Sequence, residues 1–270
     1  MASSRSPRGQ ALTPRPVRHL EHVMGTVVTF DVYEQVGADH RDLYVHLARA
    51  RALLQRFDAL FSLCKPHSSM SRIRRGELDV VDAPPEIGTV LGLCSQAFAA
   101  TNGWFDADAL PGGIDPTGLV KGWAAQRALD VLTAAGFADA MINAGGDIAT
   151  AGRPDGADCW RIGIQHPLRR GQLAAVVAVD GAIATSGTYE RGAHLFDPQA
   201  KRQLARFASA SVTGPDLALA DAAATGLAVA GDDGFDFVEA LDGYEAFAVR
   251  SDGTKRMTAG FPLAPADVAS

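Results

Sequence analysis

The sequence predicts an α+β fold. Three observations point there: β-branched segments that read as strands, separate segments whose apolar residues recur at three- and four-residue steps, and glycines concentrated between 103 and 192, where backbone turns sharply or approaches something closely. At 270 residues, 47% hydrophobic and 21% charged, the chain can bury a sizeable core in one large domain or two closely packed lobes. A net charge of −6 gives no drive toward nucleic acid or an anionic membrane surface. No apolar run approaches the roughly 18 residues of a membrane span.

Residues 1–18 are polar, Pro-rich and basic, lack the apolar stretch of a secretory signal, and read as a disordered lead-in. "HVMGTVVTFDVY" (22–33) is β-branched and aromatic, and reads as a strand. Leu43, Leu47, Ala50, Leu54, Phe57 and Phe61 then share one helical face, with Arg41, Arg49, Arg51 and Arg56 off it. Residues 62–85 read as loop and 86–100 as a second helix. "GWFDADALPGGIDPTG" is a Gly/Pro-rich connection into a helix from about 121 to 135, ended by Gly136. "DAMINAGGDIATAG" reads as a buried strand entering a Gly-rich turn, and "CWRIGIQHP" as another strand. "AAVVAVDGAIATSG" suggests two strands joined at Asp180-Gly181. A helix covers about 217–230, and "FAVRSDGTKRMTAGF" closes as a hairpin. Cys64, Cys94 and Cys159 are odd in number and far apart, which indicates neither a disulfide framework nor a zinc site and fits a reducing cytoplasm.

Four segments offer chemistry. In "DPTGLVKG" a Gly-rich turn feeds a helix N-terminus, where free N–H groups favour a phosphate. Lys121, read as a first-turn residue, opposes the helix dipole unless an anion removes the conflict. A solvated lysine with Asp115 or Thr117 as an N-cap is the ordinary alternative. Asp221 and Thr225, four apart on one helical face, can supply two oxygens to Mg²⁺, or form a polar spot on a small-residue helix. The apolar "LALA" and "AAATGLAVA" around Asp221 favour a ligand, because a buried carboxylate needs a partner. In "NAGGD" the two glycines serve a tight turn or a ligand contact beside Asn143 and Asp147. His194 is either a proton acceptor or a loop histidine with ordinary hydrogen bonds; His22, His67 and His166 take the ordinary reading.

Together these pieces resemble the FAD:protein FMN transferase family, the ApbE-like flavin transferases, in order over about residues 22–231. "MGT" is Met24 to Thr26, and the family's "FS-x-Y-x-P-x-S" run is similar to "FSLCKPHSSMSR". "G-x-F-D" falls on Gly103 to Asp106, and "D-x-x-G-x-x-K-G" on Asp115, Gly118, Lys121 and Gly122. "N-x-G-G-D" is Asn143 to Asp147, "W-R-I-G-I-x-x-P" begins at Trp160, and "TSG-x-Y" runs from Thr185 to Tyr189. "H-x-x-D-P" is His194, Asp197 and Pro198, and "AD-A-x-A-T" ends at Thr225.

The resemblance implies an ApbE-like (T-fold-like) two-lobed mixed sheet and helix architecture, with the ligand cleft between lobes. It assigns 19–264 to a single flavin transferase domain and 265–270 to a tail. It further implies a Mg²⁺-dependent transferase that cleaves FAD, attaches FMN through a phosphoester to a Thr or Ser of a partner protein, and releases AMP. Asp221, Thr225 and the Gly118 carbonyl would hold Mg²⁺. Met24, Asp115, Lys121 and the His194–Leu195 stretch would contact FAD, helped by Gly103, Phe105, Asp106 and Ala107. His194 would take the proton of the incoming hydroxyl. No nucleic acid or membrane insertion is implied. An FAD pyrophosphatase giving FMN and AMP, and a non-catalytic FAD-binding module, are the alternatives. Cys64 stands where the family has an aromatic Tyr, and "DPQAKRQ" replaces "DP-x-T-G".

Overall fold

The computed structural model describes residues 16–33, 40–154, 157–187 and 195–265. β1 (Val17–Val23) and β2 (Thr26–Tyr33) open the chain, followed by α1 (His40–Phe61), the short α2 (Ser69–Arg74) and α3 (Pro85–Ala100). Next come α4 (Thr117–Thr133), β3 (Asp139–Ala144), β4 (Asp147–Ala151), β5 (Trp160–Gln165), β6 (Leu173–Val179) and β7 (Ala182–Gly187). The last elements are β8 (Phe196–Asp197), β9 (Arg202–Gln203), β10 (Ser209–Gly214), α5 (Leu217–Ala230), α6 (Gly234–Glu239), β11 (Glu245–Val249) and β12 (Lys255–Met257). Eight strands form one antiparallel sheet in the order β1-β2-β3-β4-β7-β10-β11-β12; β5 pairs β6, and β8 pairs β9.

Strand alternation gives the sheet two different faces. One face presents small residues, among them Ala140, Ala149, Ala182, Ala184 and Ala246, to the core shared with α1, α4 and α5. The other presents Ile148, Ile183, Phe247 and Val249, which meet Trp160, Ile164 and Val177 of the β5–β6 ribbon. Alanines on the helical side let α4 and α5 settle close to the strands and to each other. Among the described residues no helix is long and apolar enough to cross a membrane.

Several boundaries differ from those the pattern predicts. Val17 and Arg18, assigned to the lead-in, begin β1, where Arg18 Nε stands 2.6 Å from Asp31 Oδ1 across the pair. The strand read over 22–33 is broken by a two-residue hairpin turn at Met24-Gly25, with Val23 opposite Thr26. The 62–85 stretch contains α2, whose N-cap Ser68 accepts the Ser71 N–H; six residues are too few to show a helical period. The two strands flanking Asp180-Gly181 do not pair: β6 joins β5, and β7 lies between β4 and β10. Gly181 N–H instead donates to Thr150 Oγ1, so that turn passes the chain between sheets.

α4 starts four residues earlier than the pattern indicates. Pro116 is its N-cap residue and makes no side-chain capping bond; Asp115, one residue earlier, accepts the Thr117 N–H at 2.9 Å, so the helix begins just upstream of Gly118. Lys121 therefore lies in the second turn, not the first.

Candidate functional site

α4 and α5 cross where both are small. A Cβ on Gly122 would stand 2.5 Å from the Leu217 carbonyl oxygen and 3.0 Å from Asp221 Cβ. That approach brings the Gly122 N–H to Asp221 Oδ2 at 3.0 Å, giving a buried carboxylate a backbone donor. One turn back on α4, a Cβ on Gly118 would come within 3.2 Å of Thr225 Oγ1 and 3.1 Å of the Phe105 ring. Thr225 Oγ1 lies 3.1 Å from Ser186 Oγ at the end of β7. The crossing thus gathers Gly118, Asp221 and Thr225 into one place.

This donor set suits a hard divalent ion. It offers a carboxylate, a hydroxyl and a backbone carbonyl, all oxygens, and Mg²⁺ takes few protein oxygens and completes its shell with water and phosphate. Gly118 leaves open a gap beside Thr225 that any larger residue would fill. Among the described residues no group of three or more His, Cys, Asp or Glu side chains assembles as an alternative metal site.

Lys121 forms an ion pair with Asp147 and has its Nζ 4.0 Å from Asp221 Oδ2. Asp147 is 1% exposed, and its other oxygen accepts the Thr185 N–H at 3.1 Å. An ammonium group between two buried carboxylates is held in a fixed position.

Two cavities meet at this point. The first, about 440 Å³, is lined by Met24, Gly25, Phe61, Cys64, Lys65 and Val120, among others. The second, about 420 Å³, takes in Trp104 to Asp106, Asp115, Gly118, Thr185 to Gly187, Leu195, Asp221 and Thr225. Thr117 and Lys121 line both, so α4's first turns divide one long cleft into two chambers. Two chambers about a shared cation suit an elongated anionic ligand with a bulky group at each end.

Most residues singled out from sequence stand on this cleft: Met24, Phe105, Asp106, Asp115, Gly118, Lys121, Leu195, Asp221 and Thr225. Ala107 lies beyond Asp106, in a neighbouring hollow with Phe98 and Cys94. Gly103 sits in the turn after α3 at φ 79°, its Cα facing the Phe98 ring. His194 and Tyr189 lie outside the described residues. Asp147, Ser186 and Thr117 were not among the site residues proposed from sequence. The "NAGGD" and "TSG" motifs contained the first two, but nothing local tells that Asp147 reaches Lys121.

Met24 adopts φ 54° and Gly25 φ 67°, the left-handed pair of a type I′ hairpin turn. Glycine takes this without cost; a methionine does not, and strained residues of this kind gather at functional sites. Met24→Asn is expected to raise the melting temperature by about 2–4 °C, since asparagine tolerates that backbone and relief is worth about 1 kcal/mol. If the thioether contacts a ligand in the first cavity, the same change weakens binding severalfold. Thermal melts with ligand titration check both, and an unchanged melting temperature would remove the strain.

A family model described as the ApbE family matches residues 24–112 and 110–248. A curated "FAD:protein FMN transferase" of Rhodobacter capsulatus is 37% identical over 151 residues, covering 52% of this chain and 29% of that protein. One of Vibrio cholerae with the same name is 32% identical over 131 residues, covering 44% of this chain and 39% of its own length. The matched stretches therefore span well under half of those relatives. The crystal structure of Pseudomonas stutzeri flavinyl transferase ApbE in its apo form superposes with a TM-score of 0.77 at 20% identity, over 93% of this chain and 97% of the other.

Proposed function

Because the chain belongs to the ApbE family, we propose that it is a Mg²⁺-dependent FAD:protein FMN transferase, a reading carried by the convergence of Gly118, Asp221 and Thr225 where two cavities share Lys121. FAD lies along the cleft with its pyrophosphate beside Lys121 and the first turn of α4. Asp221, Thr225 and the Gly118 carbonyl hold Mg²⁺, which when bound neutralises charge building on the phosphate oxygens.

The chain's own residues do the rest. Asp147 holds the Lys121 ammonium at the junction. Asp115 is fixed by the Thr117 N–H and offers an acceptor to an adenosine hydroxyl or amine. The hydroxyl oxygen of an acceptor Thr or Ser forms a bond to the FMN-side phosphorus as the bond to AMP breaks. His194 takes the hydroxyl proton, and AMP leaves with the bridging oxygen. The acceptor is a partner flavoprotein, and three free cysteines support a reducing cytoplasm.

Incubation with FAD, Mg²⁺ and an acceptor bearing a Thr flavinylation motif should yield covalent flavin and equimolar AMP. Free FMN without an acceptor would make it a pyrophosphatase, and intact FAD after long incubation a binding module. Thiol labelling offers an independent check. Cys64 is exposed on the first cavity, whereas burial, then Asp108 and Asp115, push the Cys94 thiol up to about 12. A maleimide at neutral pH should modify Cys64 before Cys94, because only thiolates react well. FAD at ten times its dissociation constant should slow Cys64 labelling about tenfold. Undiminished labelling would move FAD out of that chamber.

A further inference from the structure

The Asp197 carboxylate is wholly buried, yet it takes no part in the chemistry described above. One oxygen accepts the N–H groups of Gln199 at 2.9 Å and Ala200 at 2.8 Å, closing the turn between β8 and β9. Its other oxygen meets the Arg206 guanidinium at 2.9 Å. The turn itself is conformationally costly: Lys201 adopts φ 52°, at the place where the DP-x-T-G pattern has its glycine.

Arg206 does more than neutralise Asp197. Its Nη1 also donates to the Val229 carbonyl in the last turn of α5, where a cation suits the negative end of the helix dipole. The guanidinium lies over the Trp104 ring, 5.3 Å from its centroid. Gly231 makes room for the stem, since a Cβ there would stand 2.8 Å from Arg206 Cδ. Trp104 lines the second cavity, as do Leu195, Phe196 and Gln203 of the β8–β9 hairpin. A single guanidinium therefore ties two separate parts of that cavity's wall to the end of a core helix.

We propose that Arg206 is a positioning residue that sets the spacing between Trp104 and the β8–β9 hairpin, and through it the grip of the cleft on FAD. The planar group is what matters: Nη1 alone meets both the Asp197 carboxylate and the Val229 carbonyl, contacts an ammonium group could also make, but only a flat guanidinium lies over the Trp104 ring while making them. This inference rests on the flavin-transferase reading. A merely structural role, neutralising Asp197, would be met by any cation, or by removing both charges.

FAD affinity measured by titration calorimetry without Mg²⁺, on the wild type, Arg206→Lys and the double variant Asp197→Asn/Arg206→Met, separates these roles. Arg206→Lys should melt within about 3 °C of the wild type and bind FAD about tenfold more weakly. Its kcat for AMP release at saturating FAD should stay within about twofold. The double variant leaves no buried charge unpaired and should show the same weakened affinity. Wild-type affinity in either folded variant overturns the proposal, as does a loss of kcat with affinity unchanged. A wild type that binds no FAD overturns the flavin-transferase reading itself, and this inference with it.

Discussion

Asp221→Asn is expected to lower the proposed release of AMP from FAD by at least about a hundredfold, about 2.7 kcal/mol of transition-state stabilisation, while the protein stays folded. Of the three donors gathered at the helix crossing, Asp221 alone carries a charge; Gly118 offers a carbonyl and Thr225 a hydroxyl. Removing that charge removes most of the attraction for a divalent ion. The amide keeps an oxygen to accept the Gly122 N–H, now at 3.0 Å from the carboxylate, so the buried contact between α4 and α5 survives. Stability supplies a second readout. Saturating Mg²⁺ with FAD, at about a hundred times the dissociation constant, should stabilise the wild type by about 2.7 kcal/mol. For a domain of this size that is about 5–10 °C, and Asp221→Asn should show little of it. A variant that releases AMP at the wild-type rate takes Asp221 out of the metal site.

Gly122→Ala is expected to destabilise the fold and impair the site together. The added methyl would lie 2.5 Å from the Leu217 carbonyl oxygen, a backbone atom that cannot swing aside, so α4 and α5 must separate. Overpacking of this kind costs about 3 kcal/mol at the upper end of its usual range. Alanine's better helix propensity returns about 1 kcal/mol. The clash wins, leaving about 2 kcal/mol and a melting temperature about 4–8 °C lower. Separation also draws the Gly122 N–H from Asp221 and Gly118 from Thr225, so AMP release should fall about tenfold or more. Gly92→Ala is the control with opposite sign. Gly92 is exposed in α3 with nothing within 4 Å of a would-be Cβ, so only propensity acts and stability rises by up to about 1 kcal/mol. Equal effects from the two substitutions would show that the crossing tolerates more volume than its geometry allows.

The two expectations depend on one contact. The Asp221 carboxylate is held by a backbone N–H that is free to donate sideways only because residue 122 has no side chain in the way. The proposed metal-site donors and the helix packing therefore depend on the same contact, and a change in either is expected to move the other.

Much of this was legible in the linear chain, and the limits of legibility follow from range. The apolar spacing from Leu43 to Phe61 marks α1, because a buried helical face must recur every three or four residues. Asp221 and Thr225 share a face of α5 by the same rule, and their apolar neighbours announce a buried carboxylate in need of a partner. Motif order carried the family. Strand period, by contrast, says which residues face inward but not which strand lies alongside. That is why β6 and β7, adjacent in sequence, end in different sheets. Nor does local pattern reveal that Asp147 reaches Lys121 across 26 positions, or that Asp197, Arg206 and Trp104 meet. Short-range periodicity is set by the geometry of one helix or strand, and the sequence states it directly. Long-range pairing depends on how closely two helices cross and where each strand inserts, and only the assembled fold decides that.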